Sequence, residues 1–310
     1  MKTERLDSQI LIENKNLKIV GGLIRTAQLQ DEYYDSIENP PAFIQKVDAS
    51  GLKADLFTFL QDVENRMPKY PYQLEWDSMA VLPLTTYETW LNTQINFKPR
   101  NKIRKAQKSG VETRVVEFND ELVRAIMQVY NETPIRQGKR NWHYGKDCET
   151  LKKEHQTFLD TSEFIGAFYK SELIGFAKIV HLKNHSMFMN IVARISHRDK
   201  APTNAIIAKS VEICAARNAK YLTFGVWGRR GLNELKVANG FERYEVPRYF
   251  VPLTLKGKLV LKLKLHRSLR SYMPEWCIIA AAELRSKWNE KRHGNRIPKP
   301  GSSALDVKAQ

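Results

Sequence analysis

The stretch from His185 to Phe241 restricts the fold of this chain more than any other. Met187, Met189, Ile191, Ala193 and Ile195 share one face of a period-two run, with Phe188, Val192 and Arg194 on the other, which predicts a largely buried strand. Ser196-His197-Arg198-Asp199-Lys200 forms a basic turn, and Pro202 suits the first position of the helix that follows. A helix N-terminus leaves backbone N–H groups open, so Arg198, Lys200 and the turn through Ala201, Thr203, Asn204 and Ala205 make a candidate anion-binding site. Tyr221 to Phe224 reads as a short strand, and Leu232 to Ala238 as a helix stopped by Asn239-Gly240. Strands alternating with helices place the chain in the α/β class.

Fifty Lys and Arg against 34 Asp and Glu give a formal charge of +16, which favours polyanionic partners such as nucleic acid, anionic lipid or a phosphate-bearing ligand. Cys148, Cys214 and Cys277 are odd in number and widely spaced, which fits neither a disulfide framework nor a zinc cluster. No metal is expected, and a reducing, cytoplasmic setting is. Neither a signal peptide nor an uncharged run of about 20 residues is visible.

Residues 1–97 are read as an N-terminal α/β region. Leu17 to Ile24 predicts a strand bent at Gly21-Gly22, Ala42 to Val47 a strand after Pro40-Pro41, and Gln73 to Leu82 another. Leu52, Leu56, Phe59, Leu60 and Val63 recur at helical spacing, and Pro68 ends the pattern. Thr85-Thr86-Tyr87-Glu88 offers a capping box for a short helix through Trp90. Lys98, Arg100, Lys102, Arg104, Lys105 and Lys108 then lie in a helix that Gly110 closes, a run that is either a solvated face or a contact for a polyanion.

From Val111 the order is strand, an Asn119-capped helix striped by Leu122, Ile126, Val129 and Tyr130, a loop, and a helix from about Asp147 to Leu159. Phe164 to Tyr169 and Leu173 to His181 form a hairpin through Lys170-Ser171-Glu172. A last strand, Tyr249 to Leu253, is bounded by Pro247 and Pro252. Residues 256–310 are read as a basic helical extension ending in a disordered tail from His293. Within 256–292 ten Lys or Arg face three Glu, a net of +7, which suits tRNA or an anionic membrane surface unless the segment simply packs on the body.

This order resembles the GCN5-related N-acyltransferase (GNAT) fold over residues 98–255, a mixed central sheet flanked by helices. Asn101-Lys102-Ile103-Arg104-Lys105-Ala106-Gln107-Lys108-Ser109-Gly110-Val111, Ala201-Pro202-Thr203-Asn204-Ala205, Tyr221-Leu222-Thr223-Phe224-Gly225, and Leu235-Lys236 with Asn239-Gly240-Phe241 are similar to the Fem-type aminoacyl transferase branch. The resemblance implies an N-acyltransferase that forms an amide on an amine acceptor, with aminoacyl-tRNA or acyl-CoA as donor. Acetyl-CoA-dependent members carry glycines where this chain has Ala201 and Thr203, and side chains there narrow the approach to a pyrophosphate. It also implies that Lys236 stabilises the developing oxyanion. Residues 1–97 would correspond to a shortened first domain of the same fold.

Direct acyl transfer needs a deprotonated amine, a positioned donor and a group for the oxyanion. Glu132, His143 and His197 are the candidate general bases. Arg136, Gln137, Arg140, Trp142 and Tyr144 combine planar donors with flat aromatics suited to an acceptor's carboxylate, phosphate or sugar, and Trp227 lies between two glycines near the same motifs. Two further readings stay open: an acetyl-CoA-dependent N-acetyltransferase acting on an amino sugar or small amine, and a non-catalytic basic scaffold binding RNA or an anionic surface.

Overall fold

The computed structural model describes residues 10–136, 139–228 and 232–267. The expected helix over 276–291, the tail from His293, Cys277 and Gln137 lie outside them. In chain order the strands are β1 (Ile10–Ile12), β2 (Lys15–Val20), β3 (Thr26–Leu29), β4 (Leu56–Leu60), β5 (Gln73–Pro83), β6 (Glu112–Val116), β7 (Ile135–Arg136), β8 (Lys139–Arg140), β9 (Ser162–Tyr169), β10 (Glu172–His181), β11 (His185–Ala193), β12 (Tyr221–Val226) and β13 (Glu242–Pro252). The helices are α1 (Pro40–Ala49), α2 (Tyr87–Thr89), α3 (Phe97–Lys108), α4 (Asp120–Tyr130), α5 (Cys148–His155), α6 (Pro202–Ala216), α7 (Leu232–Ala238) and α8 (Leu255–Lys262).

The chain divides into two compact units. Described residues 10–101, 179–189, 210–228 and 232–267 belong to the first. Its strands run β1-β2-β3-β4-β13-β5-β12-β11, with β3/β4 and β11/β12 parallel and β13 antiparallel to both its neighbours, so the sheet is mixed. Phe43 and Val47 of α1 are buried with Leu17, Ala27, Phe57, Phe59 and Tyr249 of the strands. Arg248 on β13 meets Glu32 and Asp77 at 2.8–2.9 Å, which neutralises a nearly buried guanidinium.

The second unit holds described residues 102–136, 139–178 and 190–209. Strands β10-β9-β6 carry α4 and α5 on one face: Leu122, Val123, Ile126, Val129 and Tyr130, with Leu151, pack against Phe164, Leu173 and Phe176. The local signals act as expected here. Asn119 caps α4 by accepting from Leu122 N–H at 2.9 Å, Asp147 caps α5 through Thr150 N–H at 2.7 Å, and Lys170 and Ser171 both have positive φ in the β9–β10 turn.

Several expectations are corrected. Residues 42–47 are helix, because the two prolines fill the first positions of α1 and Asn39 caps it at Ala42 N–H. Residues 56–60 are strand: the helical spacing is fortuitous in a run covered on both faces, where the two-residue alternation disappears. β13 runs through Pro247 rather than starting after it. Gln61 N–H donates to Pro247 O, and the proline nitrogen faces the same side, so the reciprocal bond to Gln61 O goes unmade and β4 ends at Leu60. α5 stops at His155 because Phe158 turns left-handed at φ 56°. β11 is buried at Ser186, Met187 and Phe188 and half-buried beyond, and Ile195 opens a 3-10 turn, Ile195–Lys200, instead of closing the strand.

Candidate active site

Glu132 follows the last turn of α4 and reaches the start of the 3-10 turn that precedes α6. Its carboxylate accepts from Ile195 N–H at 2.6 Å, Ser196 N–H at 2.8 Å and the Ser196 hydroxyl at 2.6 Å. Burial works against its charge, but these donors and Arg136 outweigh burial and hold the carboxyl below its ordinary value. A carboxylate held this way is a poor proton acceptor and a good anchor.

The next link is His197, whose Nδ1 lies 3.1 Å from Ser196 Oγ. Ser196 Oγ spends its only proton on a carboxylate that can only accept, so it must accept from His197 Nδ1–H. That fixes the tautomer and leaves Nε2 as the basic nitrogen. Glu132, Ser196 and His197 therefore form a hydrogen-bonded chain ending in an imidazole lone pair. His197 is half-buried beside Tyr169, their rings 5.9 Å apart.

His143 is different. Its ring stacks on Tyr130 at 3.9 Å and meets Trp142, tilted by 42°, at 4.1 Å, and its Nδ1 is buried without a hydrogen-bond partner. Burial, then Lys146 and Arg136, pull its pKa down to about 4, so it is neutral and weakly basic near pH 7. Arg136 donates to Ala193 O, while its Nη1 is buried with Glu132 4.0 Å away as its nearest recorded partner. Arg140 is exposed on β8, Trp142 is 68% exposed under the Lys146 ammonium, and Tyr144 is 46% exposed. Asn141 staples this loop to the end of α4, donating to Tyr130 O and Thr133 O, a role its sequence position did not advertise.

In the 3-10 turn, Arg198 is exposed, and Lys200 pairs with Asp199 at 2.9 Å and lies 4.9 Å from the Tyr169 ring centre. Ala201 has φ 53° and ψ 44°. Pro202 opens α6, and the Asn204 and Ala205 N–H groups both donate back to Ala201 O. Thr203 N–H is thus the first-turn donor with no recorded acceptor among the described residues.

Lys236 and Trp227 belong to the first unit. Lys236 is 1% exposed rather than a solvated helical lysine. It donates to Val226 O at 2.8 Å, 4.9 Å from the centre of the Phe224 ring, and burial lowers its pKa to about 8. Trp227 N–H donates to Ser78 O. A cavity of about 500 Å³ in this unit, lined in part by Tyr33, Asp62, Tyr70 and His185, contains none of the candidate residues. Among the described residues no cluster of His, Cys, Asp or Glu is placed to hold a metal. No helix among them is long and apolar enough to cross a membrane.

No family model matches the chain, and no curated protein matches it in sequence. Solved structures do. A structure of FemX superposes with a TM-score of 0.56 at 11% identity, covering 79% of this chain and 85% of that one. The chain shares the fold of FemX. The C-terminal domain (DUF2156) of a proposed lysylphosphatidylglycerol synthetase from Agrobacterium fabrum is similar too, at 0.54, with 14% identity over 82% of this chain and 86% of that one. L-PGS from Bacillus licheniformis gives 0.50, also at 14% identity, covering 81% and 85%. Such identities carry the Fem-type fold and no more.

An acyl-CoA pyrophosphate needs several open backbone N–H groups and bare backbone beside them. The α6 entrance supplies one such group, and the Ala201 methyl stands where glycine would leave room. The turn does not fit that cofactor.

Proposed function

We propose that this chain is a Fem-like N-acyltransferase that moves an acyl or aminoacyl group from an activated ester, aminoacyl-tRNA rather than acyl-CoA, to an amine acceptor. The Glu132–Ser196–His197 chain carries this reading, because its hydrogen bonds orient an imidazole whose Nε2 is left open beside a charged anchor. The acceptor nitrogen attacks the acyl carbon, the C–N bond forms, and the nitrogen's proton passes to His197 Nε2. The ester C–O bond breaks, and His197 Nε2 returns that proton to the leaving oxygen, which departs as a hydroxyl. Glu132 steadies the imidazolium through Ser196 without itself accepting the proton. The cationic face of α3 supports a polyanionic donor.

The test uses bulk tRNA charged with labelled amino acids and a small-molecule cell extract, with labelled amides counted by mass spectrometry. Transfer is expected, slowed about 100-fold or more in His197→Gln and less in Ser196→Ala, whose pH–rate profile should also shift. Calorimetric titration with acetyl-CoA should show no micromolar binding. Transfer unaffected by His197→Gln removes the assigned base, and tight acetyl-CoA binding removes the choice of donor.

A further inference from the structure

α8 buries Gly257, Val260 and Leu261 and turns Leu255 and Leu259 to solvent, 83% and 55% exposed. Leu263 and Leu265 continue the pattern at 55% and 56%. A single exposed leucine is ordinary, but a helix whose outward face is leucine is not. A fifth leucine arrives from far away in the chain. The turn at Gly21, where a Cβ would stand 2.1 Å from Ile24 O, forces a tight bend that leaves Leu23 85% exposed. Lys256 donates to Leu23 O and pairs with Asp55 at 3.0 Å, so this tip is tied to the first turn of α8.

The charged residues of α8 itself are of one sign. Lys256, Lys258, Lys262 and Lys264 are exposed, and residues 254–267 contain no acid. Lys258 and Lys262 have no ion pair or hydrogen bond recorded and flank Leu255 and Leu259 at helical spacing. Leucines outward with lysines beside them suit the boundary between lipid headgroups and acyl chains, where apolar side chains enter and ammonium groups meet phosphates. Pairing of two copies through this face would set lysine against lysine.

We propose that the Leu23 tip and the outer face of α8 form a docking surface for an anionic phospholipid bilayer. The surface requires no turnover, so it stands or falls separately from the transferase reading. The full-length chain is sedimented with vesicles of phosphatidylcholine alone and with vesicles that also contain phosphatidylglycerol. Binding is expected with the second, weakening as salt rises, and falling about ten-fold or more in the triple variant Leu23→Ser, Leu255→Ser, Leu259→Ser. A Leu255→Trp variant guards against misfolding of the triple: its emission, relative to the parent chain, should shift to the blue only with phosphatidylglycerol. The proposal is overturned if the triple variant binds as the parent does, or if the Leu255→Trp emission stays put. Lipid-free dimers that the serine substitutions dissociate would overturn it as well, because the occupant would then be a second copy.

Discussion

Ala201 ends the 3-10 turn in the left-handed region, which costs a residue with a Cβ about 1–2 kcal/mol. Ala201→Gly removes that strain but loses a buried methyl and loosens the unfolded chain, so stability should change by less than about 0.5 kcal/mol. Ala201→Val adds a β-branch in the same conformation and should lose roughly 1–3 kcal/mol in urea unfolding. An unaffected valine variant would mean the turn relaxes freely. Residue types that carry chemistry were legible in the sequence, but their environments were not. His143 and His197 look alike there, yet one lies in an aromatic stack and the other ends a polar relay. Ser196 escaped notice because its partner Glu132 is 64 residues away.

The charges of α3 divide by task. Lys98, Lys102, Arg104, Lys105 and Lys108 are exposed, whereas Arg100 turns back to donate to Leu91 O and Asn92 O at 2.8 Å and to Ile95 O at 3.2 Å. Those carbonyls belong to the π turn Trp90–Gln94 and its cap, which have few other donors. Arg100→Ala should therefore cost about 1–3 kcal/mol and speed amide exchange across the turn. Neutralising Lys102 and Lys105 should change stability by less than about 0.5 kcal/mol. Comparable losses from all three would show that the helix charges act together. Elements closed by a local hydrogen bond, such as α4, α5 and the β9–β10 turn, were readable from a few neighbouring residues. β4 and β13 were misread because their covering strands come from elsewhere in the chain, and no window around Phe57 or Pro247 contains that information.

His143 and His155 should both make the chain less stable in acid. Burial and nearby cations lower both to about 4, while an unfolded histidine titrates near 6.5. Between those values the unfolded chain binds more protons, so stability present above pH about 6.5 should fall toward pH about 4, by up to one proton per histidine. His143→Phe with His155→Leu should flatten that slope in urea titrations, and an unchanged slope would assign it to other groups. The placement of β13 has a consequence for synthesis. β13 fills the gap between β4 and β5, and Trp90 Nε1 donates to Asn239 O, 149 residues further on. Translation proceeds from the N-terminus, so β4 and β5 emerge with facing edges unpaired, while residues 102–178 already contain β6, β9, α4 and α5. The middle of the chain can thus fold before its beginning does, and a ribosome stalled before Glu242 would display two open strand edges to whatever is nearby.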